Sequence, residues 1–214
     1  MKNIFTRGLT FMLLGLLLVA CAPAATPTVE APVNDLPYAG DLLGAVISPP
    51  RPVDDYALTS TEGSDFAFSE HRGEIMLLYF GYRACPDFCP TTFAEMRRLY
   101  DALGEPKDNL KILFLTVDPE RDTLDMLTAY THAFHPDFIG LRTEQDTLES
   151  IMRAFGVTAT RRDIEGSAAG YLFDHTASIF LIGPDGRLQA QYLYGTDYRD
   201  IVHDIEIIFE AQAA

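Results

Sequence analysis

Two apolar runs, IMLLYFG at 75–81 and LKILFLTV at 110–117, constrain the fold of this chain more tightly than any other feature. Neither run alternates polar with apolar residues, which is the pattern of strands covered on both faces, as in a parallel sheet flanked by helices. Parallel neighbours need a crossover, and helical periodicity runs between them from about Pro90 to Leu103. Residues 122–134 and 144–155 read as two more helices, the second stopped by Gly156.

FIGLR at 138–142 reads as a short strand or an extended connector. ASIFLIG (177–183), the turn PDG and RLQAQYLY (187–194) form a hairpin, and a last helix runs from Thr196-Asp197 to about Glu210. Upstream, YALTS and DFAFS form a small hairpin around Glu62-Gly63. The order is βαβα, a helix, then ββα, with the small hairpin in front. It predicts an α/β fold, a thioredoxin-like three-layer sandwich with an additional N-terminal β-hairpin.

The first 21 residues read as a targeting segment. Lys2 and Arg7 precede an apolar run, Leu9 to Val19, that falls short of the ~20 residues a spanning helix needs. The run ends in Leu18-Val19-Ala20-Cys21, which resembles a bacterial lipobox. The expectation is a lipoprotein-type signal peptide over 1–21, with Cys21 lipidated and the rest held outside the cytoplasm, at the periplasmic or outer face of the cell membrane. Residues 22–54 are rich in Pro and Ala and include SPPRP at 48–52, so a flexible tether is expected there, with the folded domain over 55–214. The net charge of -15 argues against nucleic acid as a partner and is compatible with a cationic cargo or a basic docking partner.

Assigning Cys21 to the anchor leaves two cysteines in the domain, Cys85 and Cys89, within YFGYRACPDFCPTT at 79–92. In an oxidising compartment such a pair tends to form a disulfide unless reduced or metallated. It stands where the first buried strand passes into a helix. Pro90 suits the first helical position and makes Cys89 a candidate N-cap, where unpaired N–H groups and the helix dipole favour thiolates. Arg83 adds charge of the same sense. Three readings follow: a structural disulfide, a redox couple, or two ligands of a metal site. A disulfide across so short a loop stabilises little. Soft thiolates select Cu(I) or Zn(II), and two of them need a third partner.

Five histidines are available. His132 and His135 lie on a polar helix, and His71 and His203 read as surface or packing residues. His175, in FDHTASIFLIG, enters the strand of the C-terminal hairpin. In a thioredoxin-like fold that entry lies beside the cysteine loop, and thioredoxins carry a cis-proline there. Cys85, Cys89 and His175 are therefore the candidate ligand set. As a redox couple, the same cysteines would leave His175 incidental. A peroxidase is disfavoured, because Tyr82 occupies the position where a Thr or Ser is expected before the reactive cysteine.

The cysteine segment, LTVDPERDT at 115–123, FIGLRTE at 138–144 and DHTASIFLIGPDG at 174–186 together resemble the Sco/SenC family of copper-binding proteins, over about residues 55–210. The resemblance implies a thioredoxin-like fold and a site for copper, Cu(I) and/or Cu(II), on Cys85, Cys89 and His175. It implies a membrane-tethered, extracytoplasmic factor that helps assemble the copper site of respiratory cytochrome c oxidase, with that enzyme's copper-accepting subunit as partner. A thiol-disulfide oxidoreductase acting on exported proteins through Cys85 and Cys89 is the alternative. Arg83-Ala84 departs from the family, where many members carry Thr-His. Asp118 and Asp122 receive no ligand role, and helix capping by Asp122 or Thr123 is expected.

Overall fold

The structure is a computed structural model that describes residues 35–213 apart from residues 167 and 168. The expected signal peptide, Cys21 and the first part of the tether lie outside the described residues. The strands are β1 (Ala45–Pro52), β2 (Leu58–Ser60), β3 (Asp65–Phe66), β4 (Ile75–Gly81), β5 (Leu110–Thr116), β6 (Ile139–Arg142), β7 (Ala159–Asp163), β8 (Tyr171–His175), β9 (Ile179–Ile182) and β10 (Arg187–Tyr192). The helices are α1 (Phe88–Ala102), α2 (Leu124–His132), α3 (Gln145–Phe155) and α4 (Tyr198–Ala213).

Eight strands share one sheet in the order β1-β10-β9-β4-β5-β6-β2-β3, and β7 pairs with β8 in a separate ribbon. β4 and β5 run parallel at its centre, from Ile75 opposite Leu110 to Gly81 opposite Thr116. Every residue of β4 is buried, as its unbroken apolar run requires. On its other side β4 is antiparallel to β9, with Tyr79 opposite Ile179.

Successive residues of a strand face opposite ways, which assigns the layers. Tyr79 meets Phe93 of α1 at 6.0 Å between ring centroids, whereas Phe80 meets Phe155 of α3 at 5.5 Å. Helices α1 and α3 therefore cover opposite faces. α2 joins the α1 face through Tyr130, 5.1 Å from Phe114 and 6.0 Å from Phe93, and α4 packs on α1. The three-layer thioredoxin-like sandwich and the extra hairpin, β2 with β3, are both present.

The expected tether boundary needs correction. Within residues 35–54, Leu36, Leu42 and Val53 are buried, and β1 pairs with β10. The buried carboxylate of Asp204 in α4 accepts hydrogen bonds from Leu43 N (2.8 Å), Gly44 N (2.9 Å) and the Tyr192 hydroxyl (2.8 Å), fixing this segment to the domain. SPPRP does not block the strand, because β1 is an edge strand whose register slips between Val46 and Arg51. Prolines, which cannot donate to a ladder, are tolerated there. The β7–β8 ribbon was not expected either. It has no alternating pattern because four of the five residues of β7 are exposed. Among the described residues, no helix is long and apolar enough to cross a membrane.

Candidate metal centre

The register of β4 builds the site. Its carboxyl end leads through 82–87 into α1, delivering both cysteines, while β9, paired with that same end, brings in the residues before Ile179. His175, the last residue of β8, thereby arrives beside the cysteine loop. Its Nε2 lies 3.5 Å from Cys89 Sγ, and one ligand atom from each of Cys85, Cys89 and His175 lies within 4.8 Å of the others. The imidazole Nδ1 lies 3.1 Å from Thr176 O. A carbonyl only accepts, so Nδ1 carries a proton, and Nε2 is the ring nitrogen that faces the sulfurs.

Both cysteines are free thiols; Cys85 is partly exposed and Cys89 fully buried. The helix start differs from the sequence expectation. Asp87 is the N-cap of α1, without a side-chain cap bond, and Cys89 sits inside the first turn. Nor are both thiols made acidic. The Cys85 thiol is pulled down to about 3, first by the hydrogen bond from Cys89, then by the His175 side chain and the backbone N–H groups of Asp87 and Cys89. Cys89 is pushed up, because the Cys85 sulfur holds its proton and because it is buried. One proton is shared across the pair, so the first thiolate is Cys85.

Arg83 was expected to supply positive charge to the thiols. Instead its backbone N–H donates to Asp122 Oδ2 (3.0 Å) and its Nε lies 3.7 Å from Asp122 Oδ1. Asp122 also accepts from the Thr116 hydroxyl at 2.7 Å, and burial raises its carboxyl above the usual range. The cap of α2 is Thr123, whose hydroxyl accepts from Met126 N at 3.4 Å, so of the two expected caps only Thr123 serves. Asp118 lies against Arg121 and accepts from the Tyr171 hydroxyl at 3.0 Å.

The other histidines stand apart. His71 stacks on Phe66 at 4.6 Å, His132 is exposed, His135 lies against Tyr100 at 4.6 Å, and His203 is 3.1 Å from Asp204. Among the described residues, Cys85, Cys89 and His175 form the one cluster able to hold a metal ion.

Two aromatic residues complete the site that sequence reasoning passed over. The Tyr79 hydroxyl donates to Cys89 Sγ at 3.7 Å, and the Tyr79 and Tyr82 rings stand edge-on to His175 at 6.1 and 5.7 Å. Tyr79 carries the one hydroxyl in the IMLLYFG run, and that was the available signal. A cleft of about 310 Å³ opens on the site between the cysteine loop and Leu172–His175. A groove of about 380 Å³ between α1 and the entry to α4 is lined by no cysteine or histidine, so donor chemistry, not size, marks the site.

Comparison with known proteins agrees with this geometry. The SCO1/SenC family model matches residues 46–210. An SCO2-like protein of Rickettsia felis is 30% identical over 148 residues, covering 69% of this chain and 72% of the relative. The solution structure of apo Sco1 from Thermus thermophilus superposes with a TM-score of 0.69 at 32% identity, covering 78% of this chain and 96% of that one. The crystal structure of Arabidopsis thaliana ScoI with copper bound gives a TM-score of 0.66 at 27% identity, covering 75% and 98%.

Proposed function

We propose that this chain, which belongs to the SCO1/SenC family, is a membrane-tethered, extracytoplasmic copper carrier that holds one copper ion on Cys85, Cys89 and His175 and passes it to the copper-accepting subunit of respiratory cytochrome c oxidase. The observation that carries this reading is the convergence of two sulfurs and an imidazole Nε2 within 4.8 Å, with the other ring nitrogen tied to a carbonyl. Metal–ligand bonds of about 2.0–2.3 Å place three such ligands roughly 3.5–4 Å apart. Two soft thiolates and an imidazole suit copper. The copper-bound relative supports the choice of metal.

Cys85 is ready as a thiolate, and copper uptake displaces the proton on Cys89. Three protein ligands leave room for an incoming thiolate at the cleft, so an acceptor can replace them one at a time. The lipobox-like Leu18-Val19-Ala20-Cys21 supports the tethering, and the charge of -15 favours a basic docking face on the partner.

The asymmetry of the pair also favours a second reading, thiol-disulfide exchange. The Cys85 thiolate attacks a partner disulfide, forming a mixed disulfide and releasing one partner thiolate. Cys89 then gives up its proton and attacks Cys85 Sγ, releasing the second. The partner gains two electrons and Cys85–Cys89 becomes a disulfide.

Titrating Cu(I) into the reduced protein against a competing chelator, beside His175→Ala, separates the two. A carrier binds one copper per chain, and the variant loses more than the about 10–100-fold typical of removing an outer partner of a metal ligand. Weak binding that ignores His175, together with rapid disulfide exchange that survives the substitution, selects the oxidoreductase.

A further inference from the structure

The two cysteines are anchored by the central sheet, but His175 is carried by a ribbon whose strands pair only with each other. What holds the imidazole over the sulfurs is therefore set by contacts outside the ladders of the main sheet. The root of the ribbon closes on itself, with Thr176 N donating to Thr158 O and Thr158 N to Thr176 Oγ1. Along its length Phe173 meets Tyr82 at 5.6 Å.

The far end of β8 is held by more. Tyr171 is buried, and its hydroxyl donates to Asp118 Oδ1 at 3.0 Å and lies 3.5 Å from Glu120 Oε2. The guanidinium carbons of Arg121 and Arg161 each lie 3.6 Å from the centroid of its ring. Arg121 also pairs with Asp118 and donates through Nη1 to Tyr171 O (3.0 Å) and Ala169 O (2.9 Å).

All the residues that grip Tyr171 from the body of the domain belong to one loop, DPERD at 118–122, which follows β5. The same loop grips the cysteine segment, because Asp122 accepts the Arg83 N–H two residues before Cys85. We propose that residues 118–122 are a positioning clip that sets the distance between the thiols and the imidazole: Asp122 fixes the cysteine loop, while Asp118 and Arg121, through Tyr171, fix the ribbon that ends in His175. None of these residues is a ligand. The effect of Asp118 and Arg121 on metal binding passes through His175, that of Asp122 through the cysteine loop, and the inference rests on the copper-site reading above.

The test uses Tyr171→Ala, which removes ring and hydroxyl, and Tyr171→Phe, which removes only the hydroxyl with its bonds to Asp118 and Glu120 and keeps the ring in place should the alanine variant fail to fold. Two measurements are made on each. Amide hydrogen exchange on the copper-free protein is expected to quicken across β7 and β8 while β4, β5 and β9 stay protected. Cu(I) affinity against a chelator is expected to fall by about 10–100-fold in Tyr171→Ala, the range for outer partners of a metal ligand. In a His175→Ala background the same substitution leaves affinity unchanged.

Unchanged exchange in the ribbon overturns the clip. Faster exchange with unaltered copper affinity overturns its role in positioning His175, as does an equal loss of affinity with and without His175. If the parent protein binds no copper, the copper-site reading fails by itself, and the exchange data still decide whether the clip holds the ribbon.

Discussion

An alanine at position 81 would push on the buried thiol from within the core. A Cβ built on Gly81 falls 2.8 Å from Phe114 Cε2, 2.8 Å from Tyr79 Cε1 and 2.9 Å from Cys89 Sγ. Carbon atoms rest at about 3.5–4.0 Å, so each ring contact is short by about 0.7 Å or more. Room cannot come from the backbone, because Gly81 O accepts Val117 N at 2.7 Å and the residue lies at the paired end of β4. Nor do the rings swing free. Tyr79 and Phe114 are fully buried and touch each other and Phe93.

Overpacking of this kind costs about 1–3 kcal/mol. At about 2–4 °C per kcal/mol for a chain of this size, Tm falls by roughly 2–12 °C. The sulfur is the neighbour least braced by other rings, so it moves, and its 3.5 Å approach to His175 Nε2 changes with it. Gly81→Ala is therefore expected to weaken Cu(I) binding as well as lower Tm. The assay pairs a circular-dichroism melt with a chelator competition. Ile208→Ala, at a buried position of α4 that does not line the site cleft, serves as a control that loses about 2–5 kcal/mol. A melt within about 1 °C of the parent refutes the steric argument, and unchanged copper affinity in a destabilised Gly81→Ala refutes its transmission to Cys89.

Two further outcomes are expected. Alkylation of Cys85 by iodoacetamide should stay near its plateau as pH drops from about 8 to about 5, because a thiol pulled down to about 3 loses its thiolate only as pH falls through that value, whereas an ordinary cysteine near 8.5 loses it early. Cys89 should stay unlabelled, and peptide mapping that shows a midpoint near pH 8 for Cys85 contradicts the shared-proton pair. Asp204→Ala leaves three donors, Leu43 N, Gly44 N and the buried Tyr192 hydroxyl, without their acceptor. It should cost about 1–3 kcal/mol, read as a lowered urea midpoint, and a loss below about 1 kcal/mol shows that the 43–44 segment is not held there.

What was legible in the sequence follows from which residues face the core. β4 and β5 could be read to the residue, or within one, because both faces of each strand are covered and the apolar run is unbroken. β1 could not, since an edge strand tolerates the prolines that elsewhere stop a strand. β7 and β8 were hidden because a ribbon off the main sheet writes no period into its sequence; the last three residues of ATRRD are all charged. At the site, Cys85, Cys89 and His175 were legible as residue types that bind soft metals at places the fold brings together. The direction of Arg83 was not. Its nearness in sequence to Cys85 implied a charge on the thiols, but a buried carboxylate 39 positions away takes that role's partner. Tyr79 was masked by its apolar neighbours, and the link from Asp118 to Tyr171 spans 53 positions with no local pattern to reveal it.

The in-register pairing of β4 with β5, Gly81 level with Thr116, has a consequence for how such chains can vary in length. The connections from Gly81 to Cys85 and from Thr116 to Asp122 leave the sheet at the same height and meet at the Arg83–Asp122 bond. One inserted residue adds about 3.3 Å of extended chain, nearly the whole 3.5 Å that separates Cys89 Sγ from His175 Nε2. Gaps placed in either connection when such sequences are aligned would then signal a lost or rebuilt site, whereas gaps at the β2–β3 turn, at one edge of the sheet, would carry no such meaning.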